Sequence, residues 1–282
     1  MTKKTLADNG QQLAALAAEM GVSNDNTPNA TNAMRLPELK INSQIDDEAG
    51  NSLPQGHFYI KGLENTAYME TVTLRPTANH FQYLHYDSKQ KKLASKSKII
   101  ASFREEAIDT NGTIRCGKPV SSQLRDNPEL KERYADITCF RQVRGLVSGK
   151  GKTVDGETVE IVDQPVILML KGTNFNGFED NVIKALPSGR NLWDFNVQLT
   201  SERHKNGSVR WFTFKYKPAF QNPLAMDDNL VNQVTKMAEG IRSENARIQK
   251  AYDAALSNQT LDRAAIDALE GNLDSDLEDE AA

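Results

Sequence analysis

The sequence has very few cysteines, which excludes one class of fold. Only Cys116 and Cys139 occur among 282 residues, too few for the disulfide framework of a small secreted domain. No apolar run approaches the ~20 residues that a membrane-spanning helix needs. The opening residues, MTKKTLADNGQQ, lack the apolar core of a signal peptide. We therefore expect a cytoplasmic protein without membrane contact (in the host cytoplasm, if the source is viral).

Sequence motifs of enzymes and metal sites are also missing. The stretch GKGKT at 149–153 lacks the spacing of a phosphate-binding P-loop, and no helix pattern follows it. A zinc site would need Cys116, Cys139 and two of the four scattered histidines, and buried free thiols are the commoner outcome. We expect no catalysis, no cofactor and no metal, while a role for the two cysteines in a metal site stays open.

Charge is distributed unevenly. Net charge is −4, but residues 268–282 hold six carboxylates and no basic residue, so removing those six negatives leaves +2 for residues 1–267. Acidic C-terminal tails are typically disordered interaction segments; a purely solubilising tail is the alternative. The candidate partner-binding residues are Asp274, Asp276, Glu278, Asp279 and Glu280.

Changes in composition divide the chain into five parts. An Ala-rich amphipathic pattern predicts a helix over 1–21, and polar residues 22–35 read as a linker. Short alternating runs predict a β-rich core over 36–222. A single apolar stripe predicts a helix over 223–257, followed by the tail at 258–282. The fold class is α+β and mainly β.

Aromatic and basic residues alternate in the first half of the predicted core. We expect strands at 67–76 and 80–87, the second carrying Phe81, Tyr83 and His85 on one face. A lysine-rich loop follows, which is suited to phosphate contact, although a solvated loop is the alternative. Its candidate residues are Lys89, Lys91, Lys92, Lys96 and Lys98.

Further basic residues lie in the centre of the core. Arg141 and Arg144 belong to a predicted strand at 137–149, and Lys150 and Lys152 to a tight loop after it. Pro165 predicts a break or a bulge in the next strand, because proline cannot donate to a central ladder. Short helices are predicted at 127–136, with Asn127 as N-cap, and at 175–186.

Residues 192–218 predict a β-hairpin around Asn206-Gly207, a strong turn signal. A two-residue turn there would place Glu202 opposite Trp211. Alternation then predicts two faces. The core face comprises Trp193, Phe195, Val197, Leu199, Phe212, Phe214 and Tyr216. The polar face comprises Asn196, Gln198, Thr200, Trp211, Thr213, Lys215 and Lys217.

The polar face of this hairpin resembles a platform on which a base can stack while lysines hold phosphates. The tip adds Arg203, His204, Lys205 and Arg210. An ordinary hairpin with one packed tryptophan and solubilising lysines is the alternative.

Taken together, the aromatic strand at 80–87, the basic-tipped hairpin and the tail DSDLEDE resemble a phage-type single-stranded DNA-binding protein built on an OB-like barrel. The resemblance covers residues 36–282. It implies sequence-independent binding that protects DNA during replication and recombination, with the acidic tail recruiting replication proteins and competing with DNA. Site size, oligomeric state and the choice between DNA and RNA stay open.

Two other functions remain compatible with the sequence. The terminal helices and the tail would also suit a virion or scaffold protein that assembles through them. A nuclease or other DNA-processing enzyme would require carboxylates that the sequence pattern does not assemble.

Overall fold

A computed structural model describes residues 36–47, 49–63, 66–105, 107–109 and 121–279, with no side-chain description for 121, 122, 133 and 258–279. The predicted N-terminal helix, the linker and Cys116 lie outside the described residues. The chain divides into two compact units. The first comprises the described parts of Met1–Gln82, Ile100–Phe103 and Cys139–Arg242, and the second those of Tyr83–Ile99, Arg104–Thr138 and Ser243–Ala282.

The chain is mostly β and ends in a long helix. The strands are β1 (Glu38–Ile41), β2 (Phe58–Lys61), β3 (Val72–Asp87), β4 (Lys92–Lys96), β5 (Ile137–Lys152), β6 (Thr158–Leu170), β7 (Val197–Asn206) and β8 (Val209–Pro218). The helices are α1 (Ser121–Asp126), α2 (Pro128–Arg133), α3 (Thr173–Phe178) with a π-helical turn after it (Glu179–Ile183), a 3₁₀ turn (Leu192–Asp194) and α4 (Asp228–Asp279).

The strands run in the order β2-β1-β6-β5-β3-β7-β8, and β4 pairs with β3. In the first unit they form a curled, half-barrel sheet, which agrees with the expected mainly-β class. Its core contains Phe58, Leu74, Val143, Leu168 and Leu199, all 0 % exposed. Apolar residues at alternate positions supply this core because successive strand side chains point to opposite faces.

Of two expected interruptions in the strands, the structure lacks the first and contains the second. Residues 72–87 form the single strand β3, whereas the sequence indicated a gap between 76 and 80. Strand β6 continues through Pro165, which lies opposite Leu146 of β5, and the expected irregularity is a bulge beside it. The register shifts between Val147 and Gly149, and Asp163 has φ +47°. Proline is tolerated next to such an interruption of the ladder.

Both short helices occur near their predicted positions. The Asn127 side chain accepts a hydrogen bond from the Leu130 amide at 3.1 Å, which confirms it as the N-cap of α2. Helix α3 and its π-helical turn cover 173–183, slightly earlier than predicted.

Helix α4 begins at Asp228, five residues after the predicted start, and ends later than expected. The carboxylate of Asp227 accepts from the Leu230 amide at 2.7 Å. In the first unit Leu230, Val234 and Met237 pack in a second core cluster with Trp193. The helical backbone continues to Asp279, whereas the sequence predicted a disordered tail from 258. Alanine and leucine, which recur between 261 and 273, are among the residues with the highest helix propensity.

The second unit contains the β3–β4 hairpin and the later part of α4. The Asn245 side chain bonds the backbone of Ile99 on both sides, accepting from its amide at 2.7 Å and donating to its carbonyl at 2.9 Å. Ser95 and Asp109, both buried, are joined by a 3.1 Å hydrogen bond. The two bonds of Asn245 fix the segment after β4 against α4.

Candidate nucleic-acid interface

Strands β7 and β8 extend beyond the sheet as a two-stranded arm, defined here as residues 200–215. Strand β7 pairs with β3 only over Val197–Leu199, whereas its pairing with β8 continues to Asn206. The arm is therefore held by the pairing of β7 with β8, and the side chains on both of its faces lie beyond the rest of the sheet.

The turn of the arm differs by one position from the prediction. The central residues are Gly207 and Ser208, and Asn206 pairs with Val209. Gly207 has φ +59°, which suits glycine at the first central position of a type II′ turn. The pairing slips by two residues along one strand, so His204, not Glu202, lies opposite Trp211. An even slip leaves every side chain on its predicted face.

On one side of the arm, Trp211 is 40 % exposed. Its ring stacks on His204 with centroids 5.4 Å apart and planes inclined by 18°. The imidazole Nε2 is 2.8 Å from the hydroxyl of buried Thr213. The imidazole therefore covers one face of the indole, and the exposed part of the indole ring is accessible to a ligand.

Two lysines share this face with Trp211. Lys215 forms a 2.9 Å ion pair with Glu202, and Lys217 is exposed. The hydrogen bond from Lys215 lowers the pKa of Glu202, against a smaller opposing effect of desolvation. Glu202 is the only carboxylate between 197 and 218, against five lysines and arginines.

The opposite face of the arm is basic. Arg203 lies opposite Phe212, and Lys205 opposite Arg210. Arg203, Lys205 and Arg210 are exposed, and none of them forms an ion pair within the described part of the chain. Like charges directly across a ladder are destabilising, so this arrangement favours a polyanionic ligand that neutralises them.

The second unit carries another basic surface, at the tip of the β3–β4 hairpin. Tyr86 is 50 % exposed and pairs with Leu93, which is 49 % exposed. Lys89, Lys91 and Lys92 are exposed around them. The sequence prediction chose the face of Phe81, Tyr83 and His85 and so missed Tyr86, which lies on the other face of β3 near the hairpin tip.

The turn of this hairpin is held by Asp87. Its carboxylate accepts from the amides of Lys89 and Gln90, each at 2.8 Å. These backbone hydrogen bonds, that of Gln90 first, lower the pKa of Asp87 despite desolvation. The lysines are thus presented on an ordered turn.

The predicted aromatic binding face of β3 is largely buried, and the sequence prediction needs correction here. Phe81 and Tyr83 are only 4 % and 1 % exposed. His85 is partly buried, and its Nδ1 has no solvent contact. Tyr83 is among the largest fully buried side chains of the protein, so this face of β3 belongs to the interior.

Arg141 and Arg144 are also buried, so the structure does not present them to a ligand. Arg141 is 0 % exposed and lies among the rings of Phe81, Phe175 and Phe178. Its guanidinium bonds Glu179 at 2.5 Å and Asn79 at 2.9 Å. Arg144 is 8 % exposed and donates to the Met237 carbonyl at 3.3 Å.

Two lysines of the predicted loop contact α4 instead of solvent. Lys96 forms an ion pair with Glu244. Lys98 donates to the Gln249 side chain at 2.7 Å, and burial lowers its pKa.

The remaining candidates divide between exposed residues and residues outside the description. Lys150 and Lys152 are exposed at the end of β5, opposite Glu160 and Thr158. The side chains of Asp274, Asp276, Glu278 and Asp279 lie outside the described residues, as does Glu280 altogether.

Metal clusters and membrane-spanning helices were sought among the described residues. There, no group of three or more histidine, cysteine or carboxylate side chains is placed to hold a metal ion. Within the same residues no helix is long and apolar enough to cross a membrane. Comparison with known proteins found no matching family model, no matching curated protein and no matching solved structure.

Proposed function

We propose that the protein binds single-stranded DNA with little dependence on sequence, through the β7–β8 arm and the tip of the β3–β4 hairpin. The observation that carries the proposal is the arm itself, which presents a partly exposed tryptophan, four cationic side chains and one carboxylate.

Each part of the arm has a role in this proposal. The indole of Trp211 stacks a base, an interaction worth about 1–3 kcal/mol that every base can make. The cations release counterions from the phosphate backbone, which supplies affinity without sequence information. The half-barrel sheet from which the arm extends is OB-like in this proposal, and OB folds commonly bind single strands.

The tip of the β3–β4 hairpin supports the proposal independently. Tyr86 and Leu93 offer a second apolar platform, and Lys89, Lys91 and Lys92 surround it with positive charge. A DNA strand bound across the tip would make stacking contacts and phosphate contacts at the same place.

By analogy with the proteins that the sequence resembles, the acidic tail recruits replication or recombination proteins and competes with DNA for the basic surfaces. The protein would act in the cytoplasm and need neither catalysis nor a cofactor.

An oligonucleotide titration by fluorescence anisotropy at two salt concentrations tests the proposal. If about three or more phosphates are neutralised, affinity falls at least ten-fold between ~50 and ~200 mM salt. Tighter binding to duplex than to single strand, or no binding at low salt, would contradict the proposed function.

A further inference from the structure

A pocket of about 250 Å³ opens beside the basic face of the β7–β8 arm. Its lining includes Gly56, His57, Glu70, Ser201, Arg203 and Phe212. Three of these, Ser201, Arg203 and Phe212, share a face with Lys205 and Arg210. The pocket therefore lies at the inner end of the row of cationic side chains that begins at the tip of the arm.

The wall of the pocket is tightly built. The Ser201 hydroxyl donates to the Gly56 carbonyl at 2.6 Å. A Cβ on Gly56, which has φ +81°, would lie 2.8 Å from a ring carbon of Phe212. Only glycine allows the chain to approach the ring this closely, so the phenyl group is held in place as one aromatic wall.

The polar groups of the pocket have opposite charges that do not neutralise each other. Arg203 and Glu70 both line it, yet within the described residues no ion pair joins them to each other or to a third group. A simple anion would meet repulsion from Glu70, and a simple cation would meet repulsion from Arg203. A ligand that carries both a phosphate and a hydrogen-bond donor satisfies both.

A nucleotide with an amino-bearing base has this combination. The volume lies below the usual range of ligand pockets, which suits one base and excludes a longer piece of strand. Cytosine presents an exocyclic amino donor where thymine presents a carbonyl acceptor. The carboxylate of Glu70 would accept from the first and repel the second.

We propose that this pocket takes one unstacked base of a bound strand, with the ring against Phe212, the amino group on Glu70 and the neighbouring phosphate on Arg203. This inference rests on the proposed function and adds to it a modest preference for cytosine over thymine. Most of the affinity remains independent of sequence because stacking and phosphate contacts act on every nucleotide.

The test compares deoxycytidine and thymidine homo-oligomers of equal length at mildly alkaline pH, using the full chain. Because Glu70 is exposed to water, one hydrogen bond of ordinary net strength predicts that the cytosine strand binds roughly five-fold more tightly. Glu70→Gln should abolish this preference, because an amide no longer distinguishes the two bases by charge. Glu70 is exposed, so the substitution leaves the core intact.

Two control variants separate the inference from the proposed function. Glu239→Gln makes the same charge change at an exposed position of α4 and should keep the preference. Trp211→Ala should weaken binding of both strands and keep their ratio. Equal binding of both strands by the wild type, or a preference that survives in Glu70→Gln, overturns the pocket assignment. Failure of the wild type to bind either strand overturns the proposed function itself.

Discussion

The guanidinium carbon of Arg141 lies 4.6 Å from the ring centroid of Phe175, and its side chain has no exposed surface. A basic residue that the sequence assigned to phosphate contact is therefore a structural residue. Its positive charge is balanced by the Glu179 carboxylate. Three phenyl rings surround its planar guanidinium group.

Arg141→Leu should therefore lower the free energy of unfolding and have little direct effect on DNA contacts. Breaking a buried ion pair costs about 3–5 kcal/mol, and we expect the low end because Glu179 is one-third exposed and water can reach it. Urea unfolding measures the change. Arg203→Leu, on the exposed arm, is the matched control and should leave stability within ~0.5 kcal/mol. A stable Arg141→Leu protein with weakened DNA binding would reverse this assignment.

The two tryptophans should respond in opposite ways to truncation. Trp211→Ala removes a stacking surface and should weaken binding by about 1–3 kcal/mol with the fold intact. Trp193 is 6 % exposed and packs with Leu230 and Met237, so Trp193→Ala should destabilise by about 3–5 kcal/mol. Circular dichroism melts alongside titrations separate these effects. Unfolding of Trp211→Ala would disprove the face assignment of the arm.

Tyr86 should contribute to binding although the sequence pointed to Phe81 and Tyr83. Tyr86→Ala should cost about 1–3 kcal/mol of binding free energy and little stability, because half of the side chain is exposed. Tyr83→Ala should chiefly destabilise the fold, since Tyr83 is 1 % exposed. Unchanged affinity in Tyr86→Ala would restrict the proposed interface to the β7–β8 arm.

The ion pairs of Glu244 predict a pH dependence within the second unit. Burial alone would raise the pKa of Glu244, but hydrogen bonds from Arg247 and Lys96, with their charges, lower it below its ordinary value of 4.5. A depressed folded-state pKa contributes stability above pH 4.5, and that contribution is lost as pH falls through the folded-state pKa.

Glu244→Gln should therefore reduce stability at neutral pH by about 1 kcal/mol, as expected for a partly exposed ion pair. The difference from wild type should shrink at acid pH, which thermal melts across a pH series would reveal. Glu239→Gln is the control, because Glu239 forms no ion pair with another described residue. A difference that stays constant with pH would indicate lost packing and not lost charge.

Local patterns predicted much of this molecule, and distant contacts account for the rest. The Asn127 cap, the apolar stripe of α4 and both faces of the arm depend on nearby residues, so alternation and capping rules sufficed. The burial of Arg141 depends on phenyl rings that are distant from it in the sequence, so no local pattern indicates it. The exposure of Tyr86 and the burial of Tyr83 in the same strand depend on which parts of the protein cover β3, and both faces of that strand carry aromatic residues in the sequence.

Removing residues 268–282 should raise affinity for single-stranded DNA at low salt. The segment adds six carboxylates to a chain that is otherwise slightly basic. A tethered polyanion acts at high local concentration, and in the proposed function it competes with the phosphate backbone for the basic surfaces. Salt screens this competition over about 10 Å at 0.1 M, so the gain should shrink as salt is added.

One oligonucleotide titrated with full-length and truncated protein across a salt series measures this effect. A variant that replaces the six carboxylates by their amides keeps the length of the segment and isolates its charge. It should match the truncated protein in affinity, and both should melt like the wild type. Equal affinities of all three proteins at every salt concentration would make the tail a solubilising segment, and the DNA-binding proposal would then depend on the two basic surfaces alone.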